Sequence, residues 1–275
     1  MPDSLFAIIA IAFYGVATVL LIIYLRSMRN INEDASGKKI SFSFVAAVIG
    51  TAFHVAYASK FSFINDALNI SLSSMMVLMS GFIMVLFLLG GLIMPIRRLG
   101  ILMFPLTILS LTFAFLWNDQ TSLLENRSTA FSAHIIISIL SYCLLAIASI
   151  QALLYVYQER QIKLRTNPAT LMALPPLQTM ELLLFRLVGA GFIALSLTLI
   201  TGAAFSQEIF GHAFVFKHHT ILALLGWLVF AILLFRRIKH GLRGSQAVIW
   251  TISGFLLIQL GYFGTKIVSE SLSVQ

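Results

Sequence analysis

Six histidines carry most of the chemistry that this sequence offers. Imidazole nitrogen is a common ligand of haem iron, and an axial pair requires two histidines on opposite faces of one porphyrin. Four of the six are predicted to lie at the outer surface, either at the first residue of an apolar span or in the connections between the spans derived below: His134, His212, His218 and His219. This set can supply an axial pair if the helices that begin near residues 134 and 218 lie close together.

His134 is followed at helical spacing by a polar stripe on an otherwise apolar segment, formed by Ser138, Ser141 and Tyr142. We predict that this stripe faces protein rather than lipid. For His134 itself two interpretations stay open. It is either a haem ligand or an interfacial histidine that hydrogen-bonds water or a loop carbonyl.

Two further histidines lie elsewhere. His54 falls within an apolar run, near Thr51 and Tyr57. An ionisable side chain inside the membrane is costly and by default indicates a functional site. We consider both direct metal ligation by His54 and a neutral imidazole hydrogen-bonded across the bundle, and we favour the second. His240 stands among basic residues and is interpreted as a contact to lipid headgroups on the cytoplasmic side.

The stretch that precedes the last two external histidines is dense in aromatic residues. Such a segment can shield one face or edge of a flat macrocycle, and Lys217 can pair with a propionate. The alternative is an aromatic belt at the bilayer surface, although Trp and Tyr are the residues normally found there. The proposed platform consists of Phe205, Phe210, Phe214 and Phe216.

The secondary structure that positions these residues is predicted from the composition of the chain. With 59% hydrophobic and 10% charged residues, the chain is too apolar for a water-soluble protein. Long apolar blocks without two-residue alternation favour helices over a barrel. The fold class predicted is an all-α polytopic membrane protein, a bundle of about eight transmembrane helices in a single integral membrane domain over residues 1–275. The predicted spans are Ser4–Tyr24, Ile40–Ala58, Ser73–Met94, Leu99–Trp117, His134–Tyr155, Leu184–Phe205, Thr220–Phe235 and Val248–Ile267.

The distribution of Lys and Arg predicts the orientation, because positively charged loops stay on the cytoplasmic side. Most basic residues fall on one side of the predicted spans, so we expect both termini to be extracytoplasmic. The formal charge of +8 follows from this topology, and we expect no nucleic-acid partner. The cytoplasmic set is Arg26, Arg29, Lys38, Lys39, Arg97, Arg98, Arg160, Lys163, Arg165, Arg186, Arg236, Arg237, Lys239 and Arg243, and the opposite set is Lys60, Arg127, Lys217 and Lys266.

The remaining predictions concern the connections between the spans, the single cysteine and the start of the chain. The longest connection, residues 156–183, is a cytoplasmic linker that ends in a short interfacial helix beginning at Leu177. The outer connections at 61–70, 118–133 and 206–219 are predicted as loops. Cys143, in the middle of the fifth span, is the only cysteine, so the chain contains neither an intramolecular disulfide nor a Cys-x-x-Cys-His haem-attachment site. The start of the chain lacks a basic signal-peptide region, so we expect the first span to be retained.

Three stretches carry a resemblance to a known family. They are H-I-I-I-S-I-L-S-Y at 134–142, R-L-V-G-A-G-F at 186–192 with T-G-A-A-F at 201–205, and G-W-L-V-F at 226–230 with G-Y-F-G at 261–264. The sequence resembles the CcsA-type and CcmC-type haem-handling proteins of cytochrome c assembly, particularly the smaller YpjD-type inner-membrane branch. The similar region covers residues 40–270, with the first half similar in topology only.

The resemblance implies an inner-membrane protein that binds haem b at its outer face in cytochrome c assembly and is not an enzyme in its own right. It implies His134 as one axial ligand. The family's tryptophan-rich loop carries phenylalanines here, its acidic residue is replaced near Lys217, and its second external histidine is replaced near Ser273. Either His218 or His219 takes the place of this second ligand, or haem is held more weakly, or this branch has kept the fold and changed its task. If haem is bound, His54 is expected as a supporting residue.

The implied partners are the lipid bilayer, haem and other cytochrome c maturation proteins. The departures from the family pattern motivate an alternative, a non-haem accessory or regulatory subunit of a membrane transporter that kept the fold. A transporter proper is disfavoured because the predicted spans contain no Asp or Glu. A lipid or quinone enzyme is disfavoured because paired carboxylates and a nucleophile elbow are absent from the sequence.

Overall fold

A computed structural model describes residues 2–27, 33–64, 67–93, 96–117, 123–124, 129–164, 175–204 and 218–261. Seven helices in this part of the chain are long and apolar enough to cross a membrane, and an eighth apolar helix is shorter. The predicted all-α polytopic membrane fold is confirmed. The helices are α1 (Pro2–Ser27), α2 (Glu33–Ser62), α3 (Leu72–Ile93), α4 (Gly100–Leu116), α5 (Thr129–Lys163), α6 (Leu177–Ala204), α7 (His218–His240) and α8 (Ser245–Gln259).

Helix α8 has 15 residues in the described part of the chain, whereas our eighth span extends to Ile267, beyond the described residues. Helix α5 is longer than predicted. Its 35 residues correspond to about 52 Å at ~1.5 Å per residue, well beyond the roughly 30 Å hydrocarbon core. Its basic end at Lys163 therefore extends past the apolar region into the connection that we interpreted as linker.

A helix begins at Leu177, as predicted, but it is not a short helix separate from the sixth span. These residues are the first turns of α6, which runs without a break for 28 residues to Ala204. The polar residues Gln178 and Glu181 lie within these first turns, because polar side chains at a membrane surface do not end a helix. Pro175 and Pro176 directly precede α6, where proline is compatible with a helix start.

Two of the outer connections that we predicted as loops contain short strands. Strands β1 (Phe63–Ile64), β2 (Ala67–Asn69) and β3 (Leu123–Leu124) form a small antiparallel sheet in the order β1-β2-β3. Leu68 pairs with Phe63 on one side and with Leu124 on the other. Strands of two or three residues are too short to show the alternating pattern from which strands are predicted.

The chain divides into two compact units by its packing. The first comprises residues 1–125 and 157–177, and the second comprises residues 126–156 and 178–275. In the first unit, α1 packs on α2 and α4, and α3 packs on the same two helices. Its core contains the fully buried rings of Tyr14, Phe87 and Phe104. Phe104 stacks on Tyr14 at 6.3 Å and meets Phe87 edge-on at 5.8 Å, so one aromatic cluster joins α1, α3 and α4.

In the second unit, adjacent helices are joined by hydrogen bonds and by close glycine contacts. The amide of Gln151 on α5 donates to the Met180 carbonyl on α6 at 2.9 Å. The indole of Trp227 on α7 donates to the Ser196 hydroxyl on α6 at 2.8 Å. Helices α7 and α8 approach so closely that a Cβ on Gly226 would lie 3.1 Å from the carbonyl oxygen of Gly254. Small residues and polar links of this kind are typical of helix packing in membranes.

An ion-pair cluster closes one end of the second unit. Arg237 donates to Glu181 at 2.6 Å and to the Leu242 carbonyl at 3.0 Å, and the Arg243 side chain lies 3.8 Å from the same carboxylate. The turn that joins α7 to α8 has positive φ at Gly241 and Gly244, a conformation that favours glycine. Arg237 and Arg243 both belong to the basic set that we predicted to be cytoplasmic, so this cluster marks the predicted cytoplasmic end of the second unit.

Candidate functional site

His134 lies in the second turn of α5 and is held by α6. Its Nδ1 is 2.9 Å from the hydroxyl oxygen of Thr201, which belongs to the last turn of α6. The ring is partly buried, so one side contacts protein. Among the described side chains, none hydrogen-bonds Nε2 of His134.

Gly202 makes room for this ring. A Cβ at Gly202 would lie 3.1 Å from Cε1 of His134, closer than an ordinary van der Waals contact. A larger residue would therefore require the imidazole to shift by a few tenths of an ångström. The Thr-Gly pair at the end of α6 defines the position of His134.

The polar stripe below His134 faces protein, as predicted. The Ser138 hydroxyl donates to the carbonyl of His134 at 2.6 Å, and the Ser141 hydroxyl donates to the carbonyl of Gly191 on α6 at 3.2 Å. The Tyr142 hydroxyl donates to the side-chain carbonyl of Gln259 on α8. These contacts fix the rotation of α5 and so the direction of its first turns.

His218 and His219 begin α7 at the same end of the second unit. Helices α6 and α7 are antiparallel, since Trp227 meets Ser196 and Arg237 meets Glu181. The first turn of α7 is therefore level with the last turn of α6, which holds His134. The side chains of both histidines lie outside the described residues, so their ligation stays a prediction. The platform residues Phe205, Phe210, Phe214 and Phe216, with His212 and Lys217, also lie outside the described residues.

His54 lies in the first unit, fully buried, with both ring nitrogens bound to protein groups. Nε2 is 3.1 Å from the Val77 carbonyl on α3, and Nδ1 is 3.3 Å from the Tyr14 hydroxyl on α1. A carbonyl only accepts, so Nε2 carries the hydrogen and Nδ1 accepts from Tyr14. Ligation of iron by His54 would require one of these bonds to break. The geometry is that of the hydrogen-bonded imidazole that we favoured.

The hydrogen-bonded chain around His54 continues on both sides. Tyr14 is also 3.0 Å from the Thr51 hydroxyl on α2. The Ser80 hydroxyl donates to the same Val77 carbonyl at 3.1 Å and accepts from Ser110 on α4 at 3.0 Å. Side chains from all four helices α1–α4 are thus linked through the buried core, a role for Tyr14, Ser80 and Ser110 that the sequence did not reveal.

Within the described residues, metal sites of the usual kind are not found. No group of three or more His, Cys, Asp and Glu side chains is positioned to hold an ion within the residues that the structure describes. Haem differs in this respect, because the porphyrin supplies four ligands and the protein supplies one or two axial imidazoles. His134, oriented by Thr201, meets this smaller requirement.

The sequence missed Thr201 and Gly202 as contacts of His134. Both lie within the T-G-A-A-F stretch on which the family resemblance rests, but their partner His134 lies 67 residues before Thr201 along the chain. A polar residue next to a glycine at the end of an apolar helix can indicate such a contact in the sequence. The polar residue supplies a hydrogen-bonding group, and the glycine leaves room beside it for the side chain of another helix.

The chain is similar to a known protein family and to several known proteins. A family profile described as Cytochrome C assembly protein matches residues 5–273. Inner membrane protein YpjD of Escherichia coli K12 is 30% identical over 167 residues, 60% of this chain and 62% of YpjD. Cytochrome c biogenesis protein CcsA of Chlamydomonas reinhardtii is 28% identical over 146 residues, 53% of this chain and 40% of that protein. CcsA of Trichormus variabilis is 32% identical over 95 residues, 34% of this chain and 27% of that protein.

The matched region spans less than two thirds of the length of these relatives. No solved structure matches the chain. The family profile, in contrast, covers nearly all of the residues, including most of α1 and all of α8 at the two ends of the described fold. By this match, the chain belongs to the cytochrome c assembly protein family.

Proposed function

We propose that this protein binds haem b at the outer face of the bacterial inner membrane and holds it, or hands it over, during cytochrome c assembly. Membership of the family supports a haem-handling role in cytochrome c biogenesis. The observation that carries the proposal for this site is the imidazole of His134, anchored at Nδ1 by Thr201 while Nε2 has no hydrogen-bond partner among the described side chains. The protein acts as an assembly factor and not as a catalyst.

The residues present fit a non-covalently bound haem. An iron-ligating histidine commonly uses one ring nitrogen for the metal and the other for a hydrogen bond that orients the ring. His134 has this arrangement. Cys143 is the only cysteine in the sequence and is fully buried within α5, so thioether attachment is not part of the proposal.

The second axial ligand in this proposal is His218 or His219, since α7 begins at the end of the second unit where His134 lies. Phe205, Phe210, Phe214 and Phe216 form the apolar platform beside the porphyrin, and Lys217 pairs with a propionate. His54 is assigned a structural role in the first unit, because both of its nitrogens already have partners there.

The proposed location is supported by a relative and by charge. YpjD carries the name inner membrane protein. In the second unit the cytoplasmic basic residues gather around Glu181, at the end of α6 opposite Thr201. The positive-inside rule then puts His134 on the extracytoplasmic side.

Single-cysteine labelling tests this orientation. In a Cys143→Ala background, Leu123→Cys should react with a membrane-impermeant maleimide in intact spheroplasts, and Arg243→Cys should react only after the membrane is opened. Both side chains are well exposed, with Leu123 at 49% and Arg243 at 73%. Labelling of Arg243→Cys in intact spheroplasts, with Leu123→Cys protected, would show the opposite orientation and remove the outer-face site.

Haem binding by the wild type is tested directly. Protein purified in mild detergent, with and without added haemin, should show a Soret band that saturates at a fixed stoichiometry. Deletion of the gene should lower the level of mature c-type cytochromes. A colourless protein that takes up no haem, together with unchanged c-type cytochromes, would reject the proposal and favour the accessory transport subunit.

A further inference from the structure

The hydroxyl of Thr201 has one hydrogen, and two backbone carbonyls compete for it. Oγ1 of Thr201 lies 2.8 Å from the carbonyl oxygen of Leu197 and 3.1 Å from that of Thr198. A carbonyl oxygen has lone pairs but no hydrogen, so it can only accept. The Thr201 hydrogen is therefore directed back along α6, as is usual for threonine in a helix.

The same oxygen lies 2.9 Å from Nδ1 of His134. Because the hydroxyl hydrogen already points at a carbonyl, Oγ1 can take part in this contact only as an acceptor. Nδ1 must then carry a hydrogen and donate it. A neutral imidazole has one N–H, so the lone pair of His134 resides on Nε2.

The packing keeps the ring in this position. The absent side chain of Gly202 leaves space beside Cε1, the carbon between the two nitrogens. The Ser138 hydroxyl, one turn further along α5, donates its hydrogen to the backbone carbonyl of His134 and not to the imidazole. Among the described residues, Thr201 is thus the group that decides which ring nitrogen is protonated.

We propose that Thr201 is a positioning residue that selects the Nδ1–H tautomer of His134 and so presents the Nε2 lone pair to iron. The assignment of the tautomer depends only on the hydrogen bonds of Thr201 and His134. The role of this tautomer in binding iron rests on the proposed function. Hydrogen bonding at Nδ1–H also makes the opposite nitrogen a stronger donor to a metal. Thr201 therefore affects how tightly iron is held and at what potential it is reduced, without touching it.

Matched variants are available on the same helix. Thr201→Val removes the acceptor and keeps the shape, while Thr201→Ser restores an oxygen at the same place. Thr198→Val is the control, since the Thr198 hydroxyl bonds the Ala194 carbonyl, another residue of α6, at 3.0 Å. Both valine variants lose one helix-internal hydrogen bond, but only one of them loses the contact to His134.

The first measurement uses haem-free protein with ¹⁵N-labelled histidine, in which ring nitrogens with and without hydrogen have distinct chemical shifts. The His134 signal is identified by its loss in His134→Gln. We expect Nδ1–H in the wild type, in Thr201→Ser and in Thr198→Val, and a mixture of tautomers in Thr201→Val. Nε2–H in the wild type, or unchanged Nδ1–H in Thr201→Val, would overturn the inference.

The second measurement uses haem-loaded protein. Thr201→Val should bind haem about 10–100-fold more weakly, the range seen when a group that orients a metal ligand is lost. Its midpoint potential should rise, because a less basic imidazole stabilises ferric iron less, and Thr201→Ser should restore both values. If the wild type binds no haem, the proposed function fails and the tautomer spectra alone decide the inference. If haem binds and Thr201→Val matches Thr198→Val in affinity and potential, the positioning role at iron is wrong while the proposed function stands.

Discussion

Replacement of His134 by alanine should remove most of the Soret absorbance of the haem-loaded protein. This change deletes the proposed axial nitrogen itself, so the loss of haem affinity should exceed the roughly 10–100-fold typical of groups that only orient a metal ligand. The measurement is a haemin titration of purified His134→Ala beside the wild type, with the reduced-minus-oxidised spectrum as a second readout.

Two additions make this experiment specific. His240→Ala removes another histidine at the far end of α7, where the ring is exposed, and should leave the spectrum unchanged. Free imidazole added to His134→Ala should restore part of the absorbance, because the space beside Gly202 is then open to it. An identical haem affinity in His134→Ala and the wild type would exclude His134 as a ligand.

Replacement of His54 by alanine should destabilise the first unit by roughly 2–5 kcal/mol. The side chain is fully buried, and its removal leaves a cavity and takes one hydrogen-bond partner each from the Tyr14 hydroxyl and the Val77 carbonyl. Unfolding can be followed with a thiol-reactive dye in a Cys143→Ala, Ser74→Cys background. Ser74 is fully buried, and its hydroxyl has no hydrogen-bond partner among the described residues, so a cysteine of similar size should be tolerated there.

Tyr14→Phe provides the graded comparison for His54→Ala. It removes one hydroxyl, keeps the aromatic contact with Phe104, and should cost about 1–3 kcal/mol because Nδ1 of His54 loses its donor. A His54→Ala protein that keeps wild-type stability but loses its haem absorbance would contradict the structural role and restore His54 as a candidate ligand.

Some features were readable from the sequence because they depend on composition and short-range spacing. Apolar runs of bilayer length predicted the helices, since backbone groups in lipid must be satisfied within one segment. The stripe from His134 to Tyr142 predicted a protein-facing side of α5, and the contacts of Ser141 and Tyr142 confirm it. The continuation of α5 and the start of α6 were missed, because hydropathy reports the apolar part of a helix and not its polar ends.

The sequence by itself determined an all-helical membrane protein, the polar face of α5 and a family resemblance that the profile match confirms. Only the tertiary structure decided what His54 and His134 contact. His54 meets Tyr14 and Val77 from two other helices, and His134 meets Thr201 across 67 residues of chain. The physical reason is that an imidazole has two nitrogens of interchangeable role. Which one is free to bind a metal depends on the partner of the other, and helix packing chooses that partner.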